Sequence, residues 1–139
     1  MPAMDDTLKA LNDLYRQELT MILRYLNYSI QVGGLDRMHL AGFFKENATD
    51  SMGHAEKIGA KIVALGGAPH GKVGEDLSLV PHGAEKMLEQ SLRDEEAALT
   101  MYADAVPLAK KDLALREMLV HILKEEQGHV DELKLLLKK

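Results

Sequence analysis

The sequence contains no cysteine among its 139 residues. This absence excludes a disulfide framework and any zinc or iron site built on thiolates, so metal ligands would have to be carboxylates and imidazoles. Aromatic residues make up only 4% of the chain, whereas apolar residues make up 46%. The segments are rich in Leu, Ala, Met, Glu and Lys, which are strong helix formers, and the composition therefore predicts an all-α protein.

Clusters of positive charge and long apolar runs are missing as well. The chain has 22 acidic and 17 basic residues, and no row of Lys or Arg could follow a phosphate backbone, which argues against nucleic-acid binding. No uninterrupted apolar run approaches about 18 residues, and the N-terminus lacks the basic and apolar regions of a signal peptide. We therefore expect a cytoplasmic protein without a membrane or nucleic-acid partner.

The length predicts a single domain over residues 1–139. Apolar residues recur at helical spacing in four segments, and a stretch rich in Gly and Pro separates the second segment from the third. Short connections make the first two helices, and the last two, antiparallel neighbours, so the fold predicted is a four-helix bundle with one long crossover. The predicted helices cover roughly residues 6–32, 37–65, from 81–84 to a disturbance at Pro107, and 113–137, with the crossover at 66–82.

Two parts of the chain repeat the same three residue types. The repeated residues are Glu18, Tyr25 and His54 in the first half, and Glu95, Tyr102 and His129 in the second. Each Glu precedes its Tyr by seven residues, so the two share one mainly apolar helix face that is expected to point into the core. A carboxylate among core residues is costly unless it is paired, hydrogen-bonded or bound to a metal.

The fourth segment completes a Glu-x-x-His pair, because Glu126 stands three residues before His129. Carboxylates and imidazoles at helical spacing on four helices are what a dinuclear metal site inside a bundle requires. The predicted metal ligands are Glu18, His54, Glu95, Glu126 and His129. The position three before His54 is Ser51, and Asp50 beside it either offers a shorter carboxylate or lies in solvent. Tyr25 and Tyr102 are either hydrogen-bond donors to the ligands or ordinary core tyrosines.

Met52 has a separate position on the second predicted helix. It projects about 160° away from His54, on an outward stripe with the small residues Ala48, Ala55 and Gly59. Small residues let another helix approach closely, so this stripe predicts a subunit interface, with an isologous dimer as its simplest form. The alternative is an isolated surface methionine.

Several stretches resemble bacterioferritin, a member of the ferritin family, over essentially the whole chain through the fourth helix. They are RQEL, DSMGHAEK, ALGGAP, MLEQSLRDEE and ILKEEQGHVDEL. The resemblance implies a ferritin-like bundle in which the five predicted ligands hold two irons, with iron storage after oxidation of Fe(II) by O2 or peroxide. It also implies that Met52 ligates haem together with its symmetry mate across a dimer, the alternative being a methionine kept for packing.

Two departures from that family leave three functions open. Ser51 stands where the family has a bridging glutamate, and the sequence stops after the fourth helix, where the family has a further short helix lining an axis of a 24-subunit shell. The first function is a ferroxidase that stores iron in an oligomeric shell. The second is a shell or haem-binding partner of other ferritin-like subunits, with an impaired centre. The third is a small dimeric di-iron or di-manganese oxidase without a cage.

Overall fold

The computed structural model describes residues 4–74, 76–78 and 80–139, and in these ranges the chain forms four α-helices and no strand. The helices are α1 (Met4–Gln31), α2 (Arg37–Ala64), α3 (Ala84–Ala105) and α4 (Leu113–Leu136). This architecture confirms the predicted all-α bundle of two antiparallel pairs and one crossover, and the helix bounds agree closely with those expected from the apolar spacing.

Glycine and proline end the helices where the sequence predicts. Gly34, between α1 and α2, and Gly66, just after α2, have φ of 83° and 90°, in the left-handed region that favours glycine. Pro107 lies in a 3-10 segment, Val106–Ala109, that directly follows α3. Because proline has no N–H for the helical ladder, the α-helix stops before it.

The long crossover lies along α1. The backbone N–H of His70 donates to Asn12 Oδ1 over 3.0 Å, and Asn27 Nδ2 donates to the carbonyl of Leu77 over 3.1 Å. Asn12 and Asn27 are separated by about 22 Å of helix at 1.5 Å per residue. The two asparagines therefore attach the crossover to α1 over most of that helix.

The two helix pairs meet through a shared core and one buried ion pair. Arg24 Nε on α1 lies 2.7 Å from Asp94 Oδ2 on α3, and each side chain is 10% exposed. Gln17 on α1 donates to the backbone carbonyl of Asp94 as well. Buried apolar side chains form this core, among them Leu11, Leu14, Met21, Tyr28, Phe44, Ile58, Leu119, Ile122 and Leu133.

None of the helices within the described ranges combines the length and the apolar character needed to cross a membrane.

Candidate metal centre

The structure brings all five predicted ligands together in the middle of the bundle. Glu18 comes from α1, His54 from α2, Glu95 from α3, and Glu126 and His129 from α4. The three glutamates are fully buried, His54 is nearly so, and the His129 side chain is 15% exposed. They form two groups of three, each with its ligand atoms within 4.8 Å of one another. Glu126 belongs to both groups and so links them.

The distances follow the same division into two halves. His54 Nδ1 lies 2.8 Å from Glu126 Oε1 and 3.4 Å from Glu18 Oε1. His129 Nδ1 lies 3.3 Å from Glu95 Oε1 and 3.7 Å from Glu126 Oε2. Each imidazole thus faces one carboxylate of its own half and one oxygen of the shared Glu126. Since the two Glu126 oxygens point to different histidines, this carboxylate has the placement of a bridge between two metal positions.

The two tyrosines hold the outer carboxylates in place. Tyr25 on α1 donates to Glu95 Oε1 on α3 over 2.7 Å, and Tyr102 on α3 donates to Glu18 Oε1 on α1 over 2.9 Å. Burial, together with the adjacent glutamates, raises the pKa of both phenols well above the ordinary range, so both remain donors. Each tyrosine therefore orients the carboxylate of the opposite helix pair, and of the two interpretations of these residues the structure favours the hydrogen-bond donor.

A second pair of carboxylates contacts the far side of each imidazole. Glu125 Oε2 on α4 lies 2.7 Å from His54 Nε2 on α2, and Asp50 Oδ2 on α2 lies 3.1 Å from His129 Nε2 on α4. A carboxylate on Nε2 keeps Nδ1 turned toward the centre, which is the usual arrangement behind a metal-bound histidine. Asp50 is thus not directed at the centre. Its side chain is 49% exposed, as the solvent interpretation from sequence expected, and it also contacts His129 from outside.

Ser51 is fully buried on α2, between Asp50 and Met52. Its Oγ has no hydrogen-bond partner among the residues that the structure describes. Unpaired buried hydroxyl groups are uncommon because they lose their hydration without replacement. The position therefore differs from its counterpart Glu126, which reaches both halves of the centre.

The charges in the centre shift the pKa values of its residues. Burial lowers the pKa of His54, but the carboxylates of Glu126 and Glu18 outweigh burial and raise it to about 11. Burial acts on His129 in the same way, and Glu126 and Glu95 raise its pKa to about 11. Burial also raises the pKa of Glu95, and contact with Glu126 raises it further. In the metal-free protein both imidazoles thus carry a proton at neutral pH, which a bound metal would displace.

The unpaired atoms of the centre fit a metal pair. Glu18 and Glu95 each have one oxygen bound to a tyrosine and one buried oxygen without a hydrogen bond, and neither oxygen of Glu126 makes a hydrogen bond. The Nδ1 atoms of both histidines lie close to carboxylates without hydrogen-bond alignment. Hard oxygen donors with imidazole nitrogens and no thiolate suit iron or manganese. The residues present would therefore hold two such ions.

The chain is similar to known proteins over most of its length. The model of the ferritin-like domain matches residues 8–139. The chain belongs to the ferritin family. It is 33% identical to the bacterioferritin of Rhodobacter capsulatus over 87% of this chain and 76% of the relative. It is 28% identical to the bacterioferritin of Desulfovibrio desulfuricans over 88% of this chain and 69% of that relative. The resemblance to bacterioferritin seen in the sequence is thereby confirmed.

Two solved structures of ferritin relatives superpose on almost the whole chain. A protein of Bacillus anthracis described as a ferritin-like di-iron-carboxylate protein matches with a TM-score of 0.90 and 26% identity, covering 99% of this chain and 100% of that one. The R. capsulatus bacterioferritin, solved with a metal-free dinuclear site and haem iron, matches with a TM-score of 0.86 and 28% identity, covering 99% and 86%. These matches confirm the ferritin-like arrangement of the helices.

Met52 of this ferritin-family chain lies outside the centre, on the outer face of the α1–α2 pair. Its side chain is 47% exposed and borders a groove of about 320 Å³. Of the small residues predicted to share its outward stripe, Ala55 and Gly59 line this groove but are buried. A Cβ at Gly59 would come within 3.2 Å of Tyr15 Cε1 on α1. These small residues therefore also serve contact between α1 and α2, a role that the spacing alone did not predict.

Glu125 is the site residue that sequence reasoning missed. The signal was present, because an acidic residue precedes both Ser51 and Glu126, giving Asp50 on α2 and Glu125 on α4. Neither spacing nor helix projection could show that each of these carboxylates contacts the histidine of the other helix, since that depends on how α2 and α4 face each other across the bundle.

Proposed function

We propose that the protein oxidises Fe(II) at the buried centre and stores the Fe(III) product in an oligomeric shell. The observation that carries this proposal is the pair of three-residue groups that share Glu126. Membership of the ferritin family and the di-iron and bacterioferritin names of its relatives support the same chemistry.

Each residue has a definite role in this proposal. Glu18 and Glu95 would each bind one iron, oriented by the hydrogen bonds they accept from the tyrosines. His54 and His129 would supply Nδ1 as ligand after losing the Nδ1 proton, while Nε2–H keeps its carboxylate partner, and Glu126 would bridge the two positions. Carboxylates suit this substrate because hard oxygen donors favour Fe(III) over Fe(II).

The oxidation reaction consumes two Fe(II) for each molecule of oxidant. Each Fe(II) gives one electron, so a pair reduces one O2 to hydrogen peroxide, or one hydrogen peroxide to water, and two protons are consumed in either reaction. The protein's part is to bring the two irons together in a site closed to bulk water.

Stopped-flow absorbance tests the oxidation. Fe(II) is added anaerobically at two per subunit, O2 is mixed in, and the Fe(III) absorbance is followed in the wild type, in Glu126→Gln and in the exposed control Glu117→Gln. We expect the wild type and the control to oxidise Fe(II) at the same rate, well above the rate in protein-free buffer, and Glu126→Gln to lose that advantage. A wild-type rate equal to the buffer rate would contradict the ferroxidase proposal.

A second candidate function is favoured by Ser51. With the bridging glutamate replaced, the chain would act as a shell or haem-binding partner of other ferritin-like subunits whose own centres oxidise iron. Ser51→Glu separates the two functions. If the wild type oxidises Fe(II) slowly and Ser51→Glu oxidises it much faster, the result would support a subunit whose centre is impaired by Ser51. Fast oxidation by the wild type would contradict that function.

The α1–α2 face is proposed as a subunit interface. Leu23, Leu26 and Ile30 on α1 are exposed and recur at helical spacing, beside Met52 and Val63 on α2. We propose an isologous dimer across this face, with haem held between two Met52 side chains. Sedimentation velocity decides between a shell built from such dimers and an oxidase that is only a dimer, because the two differ many-fold in mass.

A further inference from the structure

Ser51 is a buried hydrogen-bond donor on α2, the helix that also carries His54. Its side chain is fully buried, and its Oγ has no partner among the described residues. Ser51 precedes His54 by three residues on α2, as Glu126 precedes His129 on α4. This spacing places Ser51 on the same helix face as His54, toward the carboxylates of the centre.

No other carboxylate of the protein fills the place opposite Glu126 in the described structure. On Cβ, serine carries a hydroxyl where glutamate carries a CH2–COO⁻ group, so α2 offers one short hydroxyl where α4 offers two carboxylate oxygens. Asp50 does not compensate, because it lies 3.1 Å from the outer nitrogen of His129. Glu126 is therefore the one carboxylate that belongs to both ligand groups.

The charge balance of the metal-loaded centre also lacks one negative charge. Two divalent ions bring four positive charges, whereas Glu18, Glu95 and Glu126 bring three negative ones once the imidazoles are neutral. Glu125 and Asp50 add negative charge behind the imidazoles, but their side chains are 40% and 49% exposed, and water screens them. A net positive charge inside a buried site is unfavourable and attracts an anion.

We propose that the metal centre takes a small monocarboxylate, of the size of formate, from solution, and that Ser51 Oγ donates a hydrogen bond to it. This inference rests on the metal-binding function proposed above. The anion supplies the carboxylate that α2 lacks, completes the charge balance and gives the buried hydroxyl a partner. A formate-sized anion is proposed because a CH2–COO⁻ group is what glutamate has and serine lacks, so a larger acid would exceed the part that is missing.

Co(II) substitution provides a readout that does not depend on oxidation. Co(II) is added at two per subunit in a weakly coordinating buffer, and its visible d–d bands are followed while sodium formate is added, with sodium perchlorate as the salt control. We expect a saturable change in the bands with formate and none with perchlorate, together with tighter Co(II) binding when formate is present. Propionate is expected to produce a much weaker change.

Two variants locate the effect at Ser51. Ser51→Glu supplies the carboxylate covalently, so it should bind two Co(II) and show no response to formate. Ser51→Ala removes only the hydrogen bond, so half-saturation should need about tenfold more formate, the loss typical of an outer hydrogen-bond partner. Circular dichroism checks that both variants fold.

The outcomes separate this inference from the metal-binding function. If the wild type binds two Co(II) but formate changes the bands no more than perchlorate does, the inference is wrong and the metal centre stands. An equal formate response in Ser51→Glu overturns it too, because the anion would then bind elsewhere. If no Co(II) bands appear with or without formate, both the metal-binding function and the inference fail.

Discussion

Each histidine of the centre is held between carboxylates on both sides of its ring. Nδ1 of His54 faces Glu18 and Glu126, and its Nε2 contacts Glu125. Glu125 in turn lies 2.7 Å from Nε2 of the exposed His121, and its hydrogen bond with His54 lowers its pKa. The ring orientation therefore depends on a residue that is partly exposed and outside the set of ligands.

Removing this outer carboxylate should weaken metal binding without removing a ligand. We expect Glu125→Gln to lower Co(II) or Mn(II) affinity about 10–100-fold, since the amide no longer holds His54 as a carboxylate does. Asp50→Asn should act likewise through His129. Competition with a chelating dye measures the affinity, and Glu117→Gln is the matched exposed control. Equal affinities for Glu125→Gln and Glu117→Gln would show that the outer contact is not needed.

Metal binding should also release protons. The pKa values of His54 and His129 are raised to about 11, so both rings are protonated at neutral pH and each must lose its proton to bind a metal. Affinity should consequently rise with pH until the pH approaches about 11, where the rings lose that proton without a metal. Calorimetry in two buffers of different ionisation enthalpy counts the protons released. Identical heats in both buffers would mean that metal binding releases no protons from the histidines.

At the scale of the helix, α1 carries two different faces. One packs into the core through residues such as Leu11 and Met21 and also directs Glu18 at the centre, and the other leaves Leu26 and Ile30 exposed. Apolar residues thus occur almost all round the helix, and their periodicity alone predicts a helix more firmly than it predicts which side is buried.

Substitution of two methionines in the α1–α2 pair tests which helix faces are buried and which are exposed. Met21→Ala should lower the free energy of unfolding by about 2–5 kcal/mol, because Met21 is fully buried and its removal leaves a cavity. Met38→Ala should change it by less than about 0.5 kcal/mol, because Met38 is 90% exposed. Urea unfolding at one fixed protein concentration measures both. Similar midpoints for the two variants would contradict the assignment of the faces.

For the whole molecule, the proposed dimer would give the outer α1–α2 face its role. Met52 is half-exposed on that face, whereas the five candidate ligands lie inside the bundle. Haem binding and metal binding are therefore expected to be separable by mutation.

Met52→Leu tests the haem proposal. Leucine keeps the apolar side chain but has no thioether, so we expect loss of the low-spin Soret spectrum on haem reconstitution, with Co(II) binding at the centre unchanged. Met38→Leu, which alters an exposed methionine of the same helix, should keep the haem spectrum. A Met52→Leu spectrum identical to the wild type would mean that haem, if bound, uses another ligand.

Much of this protein follows from local rules that can be applied to the sequence alone. Helical spacing and the positions of Gly34, Gly66 and Pro107 predict the four helices, because each depends on residues within a few turns. The five residues that meet in the centre could also be named, since Glu and His at matching positions on mainly apolar helix faces are expected to point into the core; that they bind metal stays a prediction.

The tertiary structure decided the contacts between helices. Tyr25 and Tyr102 bind the glutamates of the opposite pair, and Asp50 and Glu125 bind the histidines of the opposite helix. The packing of the helices also determines that Ser51 is buried without a hydrogen-bond partner among the described residues. Spacing along one helix specifies a face only relative to that helix. How the helices are rotated and separated depends on packing of the whole core, and this packing determines which atoms meet at the centre.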